Sequence, residues 1–504
     1  MNRNFAVMDI GSNTVRLVLF ETSNYIYFKK TKTFRHRLRL RGYVENGIIS
    51  EEGIKKLTEV LTYFKASLSL TDVSTLYAFA TATIRDAKNG AEILKEMNKL
   101  LGLSIKILSA KDEAYYGFLS VVNATFAKTG ITVDMGGGST EIVAFENREC
   151  KEYVSFPFGS LSLSLDYIQM DKNSFQISDK MPEFIETYLQ NEEWLNGIGK
   201  PIVAMGGSAR SLAKIHMNVV SYPISFVHQY VMTYDDVIEL YQFIKEKPIK
   251  ELVKMPGLNE ERLETLIPSI GFFKVLMEYC QSPFFIVSSN GIREGFCYSL
   301  MEEEYGQNIP NVMEDSIHSL SNQYQLNINE NIYELQLYHS LSKQILDSLG
   351  KKVSDDLYKM GSYAIQLYNF GAYVSDENSL RHTFYILTNT PLHGFAHKQQ
   401  IELALLASFK SKQKMLQHIP DLQPFFNKDE WLDLVIIGSV VRFIKELTIR
   451  FPKVIQTINL ERELSAYCIS CNISSPIMLS ENDISKITKP LEKLLKSKIQ
   501  LKFS

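Results

Sequence analysis

The residues best suited to chemistry lie in a glycine-rich stretch at 131–145, ITVDMGGGSTEIVAF. Apolar runs on both sides of the glycines predict a β-hairpin. Glycines lack a Cβ, so backbone N–H groups at such a tip can converge on a small anion, and neighbouring hydroxyls add donors. Flanking carboxylates suit a hydrated divalent metal that accompanies phosphate. The predicted phosphate contacts are Gly136, Gly137, Gly138, Ser139 and Thr140, and the predicted Mg²⁺ ligands are Asp134 and Glu141.

The N-terminal stretch 5–20, FAVMDIGSNTVRLVLF, resembles this hairpin. A shift of 125 positions aligns Asp9 with Asp134 and Gly11 with Gly136. A repeated unit predicts two related lobes, each presenting one hairpin to a shared cleft. Two unrelated buried hairpins are the alternative. The predicted phosphate contacts here are Gly11, Ser12, Asn13, Thr14 and Arg16, with Asp9 as a further metal ligand.

Arginine alternates with other residues along 34–41, FRHRLRLR. In an extended segment all four guanidiniums point to one side, where phosphate oxygens would relieve their repulsion. We therefore predict phosphate contacts from Arg35, Arg37 and Arg39. An edge strand protected by charge is an equally good interpretation.

Three further stretches could complete a site. A strand at 76–80 is followed by Thr83 and Arg85, which could meet a phosphate at the strand end. A helix that opens at Ser109 carries Glu113 and leads directly into the glycine-rich hairpin, so Glu113 could reach a water. The alternative role for Glu113 is an ordinary first-turn acid of a helix. A third glycine turn at 202–210 predicts phosphate contacts from Gly207 and Ser208.

Composition limits the remaining possibilities. A chain of 504 residues should hold three or four domains. The net charge of −3 gives no general attraction to nucleic acid or anionic membrane, so a polyanion site must be a local basic patch. Five scattered cysteines, no leader and no membrane-spanning run indicate a cytoplasmic protein. The pair Cys468 and Cys471 is interpreted as two buried thiols.

Strands alternate with helices up to about residue 305, which predicts an α/β architecture. The chain changes character near 307–310, and helical periodicity dominates from 316 to 450. A short α/β segment with possible strands at 464–469 and 499–503 follows. Predicted domains are 1–125, 126–305, 311–450 and 451–504.

Together these motifs resemble the exopolyphosphatase/guanosine pentaphosphate phosphatase (Ppx/GppA) family of the actin, sugar kinase and heat-shock chaperone superfamily. The matching motifs are 9–13, 81–85, 109–114, 134–141 and 289–295, in family order. The resemblance implies two actin-like (ribonuclease H-like) lobes, a helical HD-like domain and a small C-terminal segment.

The same resemblance implies the chemistry. Glu113 would activate the attacking water, Arg85 would contact phosphate, both hairpins would hold phosphate, and Asp134 with Glu141 would position Mg²⁺. Phosphoryl transfer asks a protein mainly for this kind of positioning and charge neutralisation. One departure concerns the helical domain, where Tyr368 and Asn369 stand in place of the metal-binding His-Asp pair. Neither is a good divalent ligand, so no HD-type metal site is expected, and this domain could extend a substrate channel or form a homodimer interface.

Three functions follow in order of preference. The first is an exopolyphosphatase that removes the terminal phosphate of inorganic polyphosphate processively. The second is a hydrolase of guanosine pentaphosphate (pppGpp), which would use the same catalytic groups. The third is a non-catalytic sensor that binds ATP or polyphosphate between the lobes. No nucleic-acid or membrane partner is expected.

Overall fold

The computed structural model describes residues 3–504 except 23–27, 172–173, 257, 259, 307–308, 310, 325, 327–331, 423–424 and 464–465. The predicted change of character at 307–310 therefore lies mostly outside the described residues, as do the first two residues of the strand predicted at 464–469. The chain divides into two compact units. One comprises Met1–Tyr222 and Val227–Val312, and the other comprises Pro223–Phe226 and Met313–Ser504.

The first unit opens with a five-stranded sheet. Its strands and those of a small ribbon are β1 (Arg3–Ile10), β2 (Thr14–Thr22), β3 (Phe28–Arg37), β4 (Val44–Glu45), β5 (Ile48–Ile49), β6 (Thr75–Ala80) and β7 (Ile105–Ile107). The helices are α1 (Glu51–Leu68), α2 (Ala82–Asp86) and α3 (Gly90–Leu101), with a 3-10 turn at Leu40–Tyr43. The sheet order is β3-β2-β1-β6-β7, antiparallel over the first three strands and parallel beyond β1. Apolar side chains of α1 and α3 cover one face of this sheet.

A second sheet repeats the arrangement. The elements are α4 (Ala110–Val122), β8 (Gly130–Met135), β9 (Thr140–Glu146), β10 (Glu149–Phe156), α5 (Ser160–Tyr167), β11 (Ile168–Met170), β12 (Phe175–Ile177), α6 (Lys180–Leu189), β13 (Ile202–Met205), α7 (Gly206–Val219), β14 (Tyr230–Thr233), α8 (Tyr234–Glu246), α9 (Ile249–Leu252), α10 (Glu260–Cys280), β15 (Phe284–Val287) and α11 (Ile292–Tyr305). The order is β10-β9-β8-β13-β15-β14. Its first five strands match the first sheet, with β14 added antiparallel to β15. The predicted repeat of two lobes is confirmed.

Helices α4 and α11 join the two lobes. Apolar residues of α4 pack on the second sheet, where Phe118 meets Phe145. Helix α11 reaches back to the first sheet, and its Phe296 lies against Tyr77 and Phe79. These apolar contacts fix the orientation of the two hairpins relative to each other.

The second unit is mainly helical. Its elements are α12 (Val312–Gln323), α13 (Ile332–Leu349), α14 (Asp355–Leu367), α15 (Ser379–Asn389), α16 (His397–Ala407), α17 (Lys412–Met415), α18 (Ile419–Leu422), α19 (Lys428–Arg450), β16 (Ile455–Arg462), β17 (Ala466–Ile473), α20 (Glu481–Leu495) and β18 (Lys498–Phe503). The strands form one sheet in the order β16-β17-β18. Both Cys468 and Cys471 are buried free thiols on β17, as predicted.

The fold class predicted from the sequence is confirmed, with two α/β lobes followed by a helical region and a small sheet. The division into compact units falls at 312/313 and does not separate 1–125 from 126–305 or 311–450 from 451–504. Those finer boundaries stay predictions. Across the described part of the chain, every helix is too short or too polar to cross a bilayer.

Candidate active site

The two predicted phosphate stretches are both antiparallel hairpins. Strands β1 and β2 pair from Arg3 opposite Thr22 to Ile10 opposite Val15, and β8 and β9 pair from Gly130 opposite Phe145 to Met135 opposite Thr140. The tips close with the same hydrogen bond. The Gly11 amide donates to the Thr14 carbonyl at 3.1 Å, and the Gly136 amide donates to the Ser139 carbonyl at 2.9 Å. The sequence repeat is therefore a repeat of backbone geometry.

The tips face each other closely. A Cβ on Gly137 would lie 3.3 Å from the Ser12 Cβ, and one on Gly138 would lie 3.2 Å from the Ser12 Oγ. The Gly136 and Gly137 carbonyls accept hydrogen bonds from the Ser160 and Leu161 amides at the start of α5, at 2.9 and 3.0 Å. Because these carbonyls are bonded to α5, they do not repel an anion held at the tip.

A cavity of about 690 Å³ lies between the hairpins, and we call it the phosphate pocket. Basic side chains in its wall outnumber acidic ones by seven to four, although the whole chain carries a net charge of −3. The pocket is thus a local site for a polyanion. The predicted residues that line it are Asp9, Gly11, Ser12, Asn13, Thr14, Arg16, Arg35, Arg37, Glu113, Asp134, Gly136, Gly137, Ser139, Glu141, Gly207 and Ser208.

Glu113 is one of the buried carboxylates that line the pocket. A capping box between Ser109 and Asp112 begins α4 and places Glu113 in its first turn, where the residue is 8% exposed. Burial raises the pKa of Glu113 to about 7, although the neighbouring Arg85 guanidinium opposes this rise. A carboxylate with this pKa can accept a proton from water near neutral pH.

Arg85 lies behind Glu113 and does not line the pocket. Its guanidinium forms an ion pair with the Glu113 carboxylate and also donates to the Leu108 carbonyl at 3.2 Å. The ion pair stabilises the ionised form of Glu113. The expectation that Arg85 contacts phosphate stays a prediction.

Asp9 is neutralised within the protein. The Arg293 guanidinium donates to the Asp9 carboxylate at 2.7 Å, and both side chains are largely buried. Next to them, Lys30 pairs with Glu294 at 2.7 Å. Burial alone would raise the pKa of Glu294, but the charges of Arg293 and Lys30 lower it to about 2. Asp9 is therefore less available to a metal than the sequence predicted.

Asp134 and Glu141 lie directly opposite each other on β8 and β9. Burial raises the pKa of Asp134, which the charge of Arg210 opposes. Burial and the nearby Glu113 raise the pKa of Glu141 well above its ordinary value. In the absence of a cation, the surrounding protein therefore favours the neutral form of both groups over the ionised form.

Three arginines from two elements form the basic wall of the pocket. Arg35 and Arg37 come from β3, and Arg262 comes from α10. Burial and the charges of Arg35 and Arg37 lower the pKa of Arg262. Like charges this close favour an anion between them.

The extended arginine segment ends earlier than predicted. Strand β3 stops at Arg37, and Arg39 takes a left-handed conformation with φ of 51° before a 3-10 turn. Arg39 then pairs with Glu264 at 2.9 Å and does not line the pocket. The prediction of four guanidiniums on one extended face was wrong for Arg39 and Arg41.

Three other predicted contacts lie outside the pocket wall. Thr140 is buried and its hydroxyl donates to the Phe158 carbonyl at 2.8 Å. The Thr83 hydroxyl is buried and has no hydrogen-bond partner among the described residues. Gly138 is buried against Ser12.

Several pocket residues were missed from the sequence. They are Lys30, Ser160, Arg210, Arg262 and Arg293. Arg210 and Arg293 lie within the stretches 202–210 and 289–295, both of which contain glycine. Their positive charge beside the glycines was therefore the available signal. Arg262 had no such signal, because it lies within a long helix far from the motifs in sequence.

In the helical region, Tyr368 and Asn369 make hydrogen bonds within the protein. The Tyr368 hydroxyl donates to the Phe409 carbonyl at 3.2 Å. Asn369 adopts φ of 61°, and its side-chain oxygen accepts a hydrogen bond from the Ser379 hydroxyl. These contacts account for both residues without a metal.

Comparison with known proteins assigns the family. The Ppx/GppA phosphatase family model matches residues 21–304, and the model of its domain III matches 312–438. Two curated relatives are named guanosine-5'-triphosphate,3'-diphosphate pyrophosphatase. The one from Aliivibrio fischeri is 23% identical over 79% of this chain and 79% of its own length. The one from Pseudoalteromonas translucida is 22% identical over 88% of this chain and 86% of its own length.

Solved structures agree with this assignment. A Ppx/GppA family member from Aquifex aeolicus is 28% identical, with a TM-score of 0.53, over 60% of this chain and 99% of that one. An exopolyphosphatase from Cytophaga hutchinsonii shares the fold at 19% identity and a TM-score of 0.54, over 60% of this chain and 98% of that one. The chain therefore belongs to the Ppx/GppA phosphatase family, whose enzymes hydrolyse phosphoanhydride bonds.

Proposed function

We propose that the enzyme removes the terminal phosphate of pppGpp. The buried carboxylate of Glu113 at the wall of a basic, glycine-lined pocket carries the hydrolytic part of the proposal. The guanosine part is supported by the curated relatives, which match most of the chain and are named for this nucleotide. This reverses the order expected from the sequence, which placed polyphosphate first.

The chemistry follows from the pocket residues. Water attacks the terminal phosphorus while Glu113 accepts its proton, a new P–O bond forms, and the anhydride P–O bond breaks. The leaving oxygen belongs to the remaining phosphate chain, whose charge the pocket arginines stabilise. Glu113 then returns its proton to solvent. Arg85 keeps the carboxylate ionised and oriented between turnovers.

We propose Mg²⁺ as the cofactor, held by Asp134 and Glu141. Mg²⁺ commonly uses one or two carboxylates and completes its coordination with water and substrate phosphates. The carboxyl groups of Asp134 and Glu141 face each other across β8 and β9 and fit this donor set, and a bound cation would favour the ionised forms that burial disfavours. Bound Mg²⁺ would neutralise charge on the reacting phosphates. Asp9 is excluded from this set because it already binds Arg293.

A second candidate substrate is inorganic polyphosphate. Its support is the wall formed by Arg35, Arg37 and Arg262, which offers several contacts along a chain of phosphates.

A non-catalytic sensor is the weakest candidate, since a sensor has no need of a buried carboxylate with a pKa near 7. Location in the cytoplasm and assembly as a homodimer also stay proposals, and light scattering would test the second.

The experiment is phosphate release with Mg²⁺ from pppGpp, long-chain polyphosphate and ATP, for wild type and Glu113→Gln. We expect turnover of pppGpp to exceed that of the other two, and the variant to lose about 10³-fold. Preference for polyphosphate would promote the second candidate. Full activity of Glu113→Gln would remove the general base from the proposal. An exposed Glu96→Gln variant on α3 is the matched control and should behave as wild type.

A further inference from the structure

A second groove lies beside the phosphate pocket, between β3 and α1, with a volume of about 560 Å³. Arg37 lines both cavities, so the groove and the pocket meet at this side chain. A ligand with phosphates in the pocket could therefore extend into the groove past Arg37.

The groove presents aromatic rings. Tyr63 is 58% exposed, and Tyr43 also lines the groove. Lys56 fixes the Tyr43 ring, because its ammonium lies 4.7 Å from the ring centre and donates to the hydroxyl at 2.5 Å. Exposed aromatic faces that are held in place can stack on a planar base.

The carboxylate of Glu59 adds a hydrogen-bond acceptor to the groove lining. It lies one helical turn from both Lys56 and Tyr63 on α1, and none of the described residues pairs with its carboxylate. A carboxylate repels a phosphate chain but accepts two adjacent N–H groups well. Guanine presents such a pair at N1 and its exocyclic amine, whereas the corresponding edge of adenine does not.

We propose that this groove binds the guanine base of the substrate, with Tyr63 stacking on the ring and Glu59 accepting its two N–H groups. Arg37 then contacts the phosphates where the groove meets the pocket. This inference rests on the proposed function and adds the residues that select the nucleotide.

The test compares kcat/KM for pppGpp with that for its inosine analogue, which lacks the exocyclic amine. Wild type should prefer pppGpp by about 10-fold, corresponding to roughly 1.4 kcal/mol. In Glu59→Gln, the kcat/KM values for the two nucleotides should differ by less than about twofold. Tyr63→Ala should raise KM for both nucleotides by about 10-fold, since stacking does not depend on the amine.

The controls match the exposure of the tested residues. They are Glu96→Gln on α3 and Tyr385→Ala, whose ring is 64% exposed in the helical unit. Both should keep the wild-type ratio. If wild type hydrolyses pppGpp but Glu59→Gln keeps the full preference, only the groove assignment is overturned. If wild type does not hydrolyse pppGpp, the proposed function fails and the guanine assignment fails with it.

Discussion

The two hairpins share one backbone design but carry opposite charge at a matched position. In the first hairpin Asp9 lies opposite Arg16, and in the second Asp134 lies opposite Glu141. The shift of 125 that aligns the acids also aligns Arg16 with Glu141. In our proposal, the first hairpin therefore contacts the anion and the second holds the Mg²⁺ that accompanies it. A repeat can thus keep its backbone geometry while its two copies carry different side chains at a matched position.

The residues around Asp9 and Glu141 add to this difference between the two hairpins. Asp9 is held by Arg293 at 2.7 Å, so its charge is balanced within the protein. Glu141 accepts a hydrogen bond from the Ser155 hydroxyl at 3.0 Å, and burial raises its pKa well above the ordinary value. If Mg²⁺ binds as we propose, it would favour the ionised form of Glu141 in the second hairpin more than that of Asp9 in the first.

The largest expected effect comes from removing the charged side chain at the matched position, which is Arg16 in the first hairpin and Glu141 in the second. Arg16→Gln and Glu141→Gln should each lower kcat/KM by about 10²-fold. Arg16 offsets negative charge on the reacting phosphates directly, whereas Glu141 does so only through the Mg²⁺ that we propose it holds. Excess Mg²⁺ should recover part of the loss in Glu141→Gln and none in Arg16→Gln. A Mg²⁺ titration of both variants measures this. An identical response of the two variants would mean that the hairpins do not divide the roles.

The next largest expected effect concerns the pKa of Glu113, the proposed general base. Burial raises the pKa of Glu113, and the positive charge of Arg85 partly offsets this rise, so the pKa is about 7. Arg85→Leu removes the positive charge and should therefore raise the pKa of Glu113 further. The carboxylate must be ionised to act as a base, so activity rises with pH through this pKa. The acid limb of the pH–rate profile should therefore move to higher pH, with about a 10-fold loss at pH 7.

Arg85→Lys is the conservative control for this shift. It keeps a positive charge beside Glu113 and should restore most of the wild-type profile. A uniform loss at every pH in Arg85→Leu would show that Arg85 acts on phosphate directly, as the sequence first suggested.

The residues that sequence analysis placed correctly share a local cause. Both hairpins follow from apolar runs around glycine, and Glu113 follows from a capped helix that leads into the second hairpin, so neighbouring residues fix all three. Arg39 failed because alternation indicates an extended strand but does not show where β3 ends. Arg262 was missed because only tertiary packing of α10 brings it to Arg35 and Arg37.

The third prediction concerns stability and pH. The pKa of Glu113 is about 7 in the folded protein and about 4.5 in the unfolded chain, so between these values the folded protein holds a proton that the unfolded chain has released. The contribution of Glu113 to stability is therefore fully present below pH 4.5 and is lost as pH rises through 7. Glu113→Gln should remove this loss, so its free energy of unfolding should exceed that of wild type by about 2 kcal/mol at pH 8 but not at pH 5.

Urea unfolding at both pH values measures the difference. Since Glu96 is exposed, Glu96→Gln should show no such change between the two pH values. A constant difference between Glu113→Gln and wild type would mean that Glu113 ionises normally in the folded enzyme.

The smallest expected effect tests whether the hairpin backbones are equivalent. A Cβ on Gly11 would lie 3.1 Å from the Thr14 carbonyl oxygen, and one on Gly136 would lie 3.2 Å from the Ser139 carbonyl oxygen. Both contacts are tight and meet backbone, so Gly11→Ala and Gly136→Ala should each destabilise the protein by about 1 kcal/mol. Gly42→Ala is the control, because a Cβ there meets nothing within 4 Å. Thermal unfolding of the three variants gives the comparison.

Equal losses of stability in Gly11→Ala and Gly136→Ala, together with different Mg²⁺ responses of Arg16→Gln and Glu141→Gln, would show that the hairpins share their backbone geometry but differ in side-chain chemistry. The hydrogen bond that closes each tip needs the same close approach of glycine to a carbonyl, whatever charge stands on the strands behind it. A much larger loss at Gly136 would show instead that the second tip depends on its contacts with α5, where the Gly136 carbonyl accepts from Ser160 at 2.9 Å. In that case the two hairpins would differ in backbone support as well as in charge.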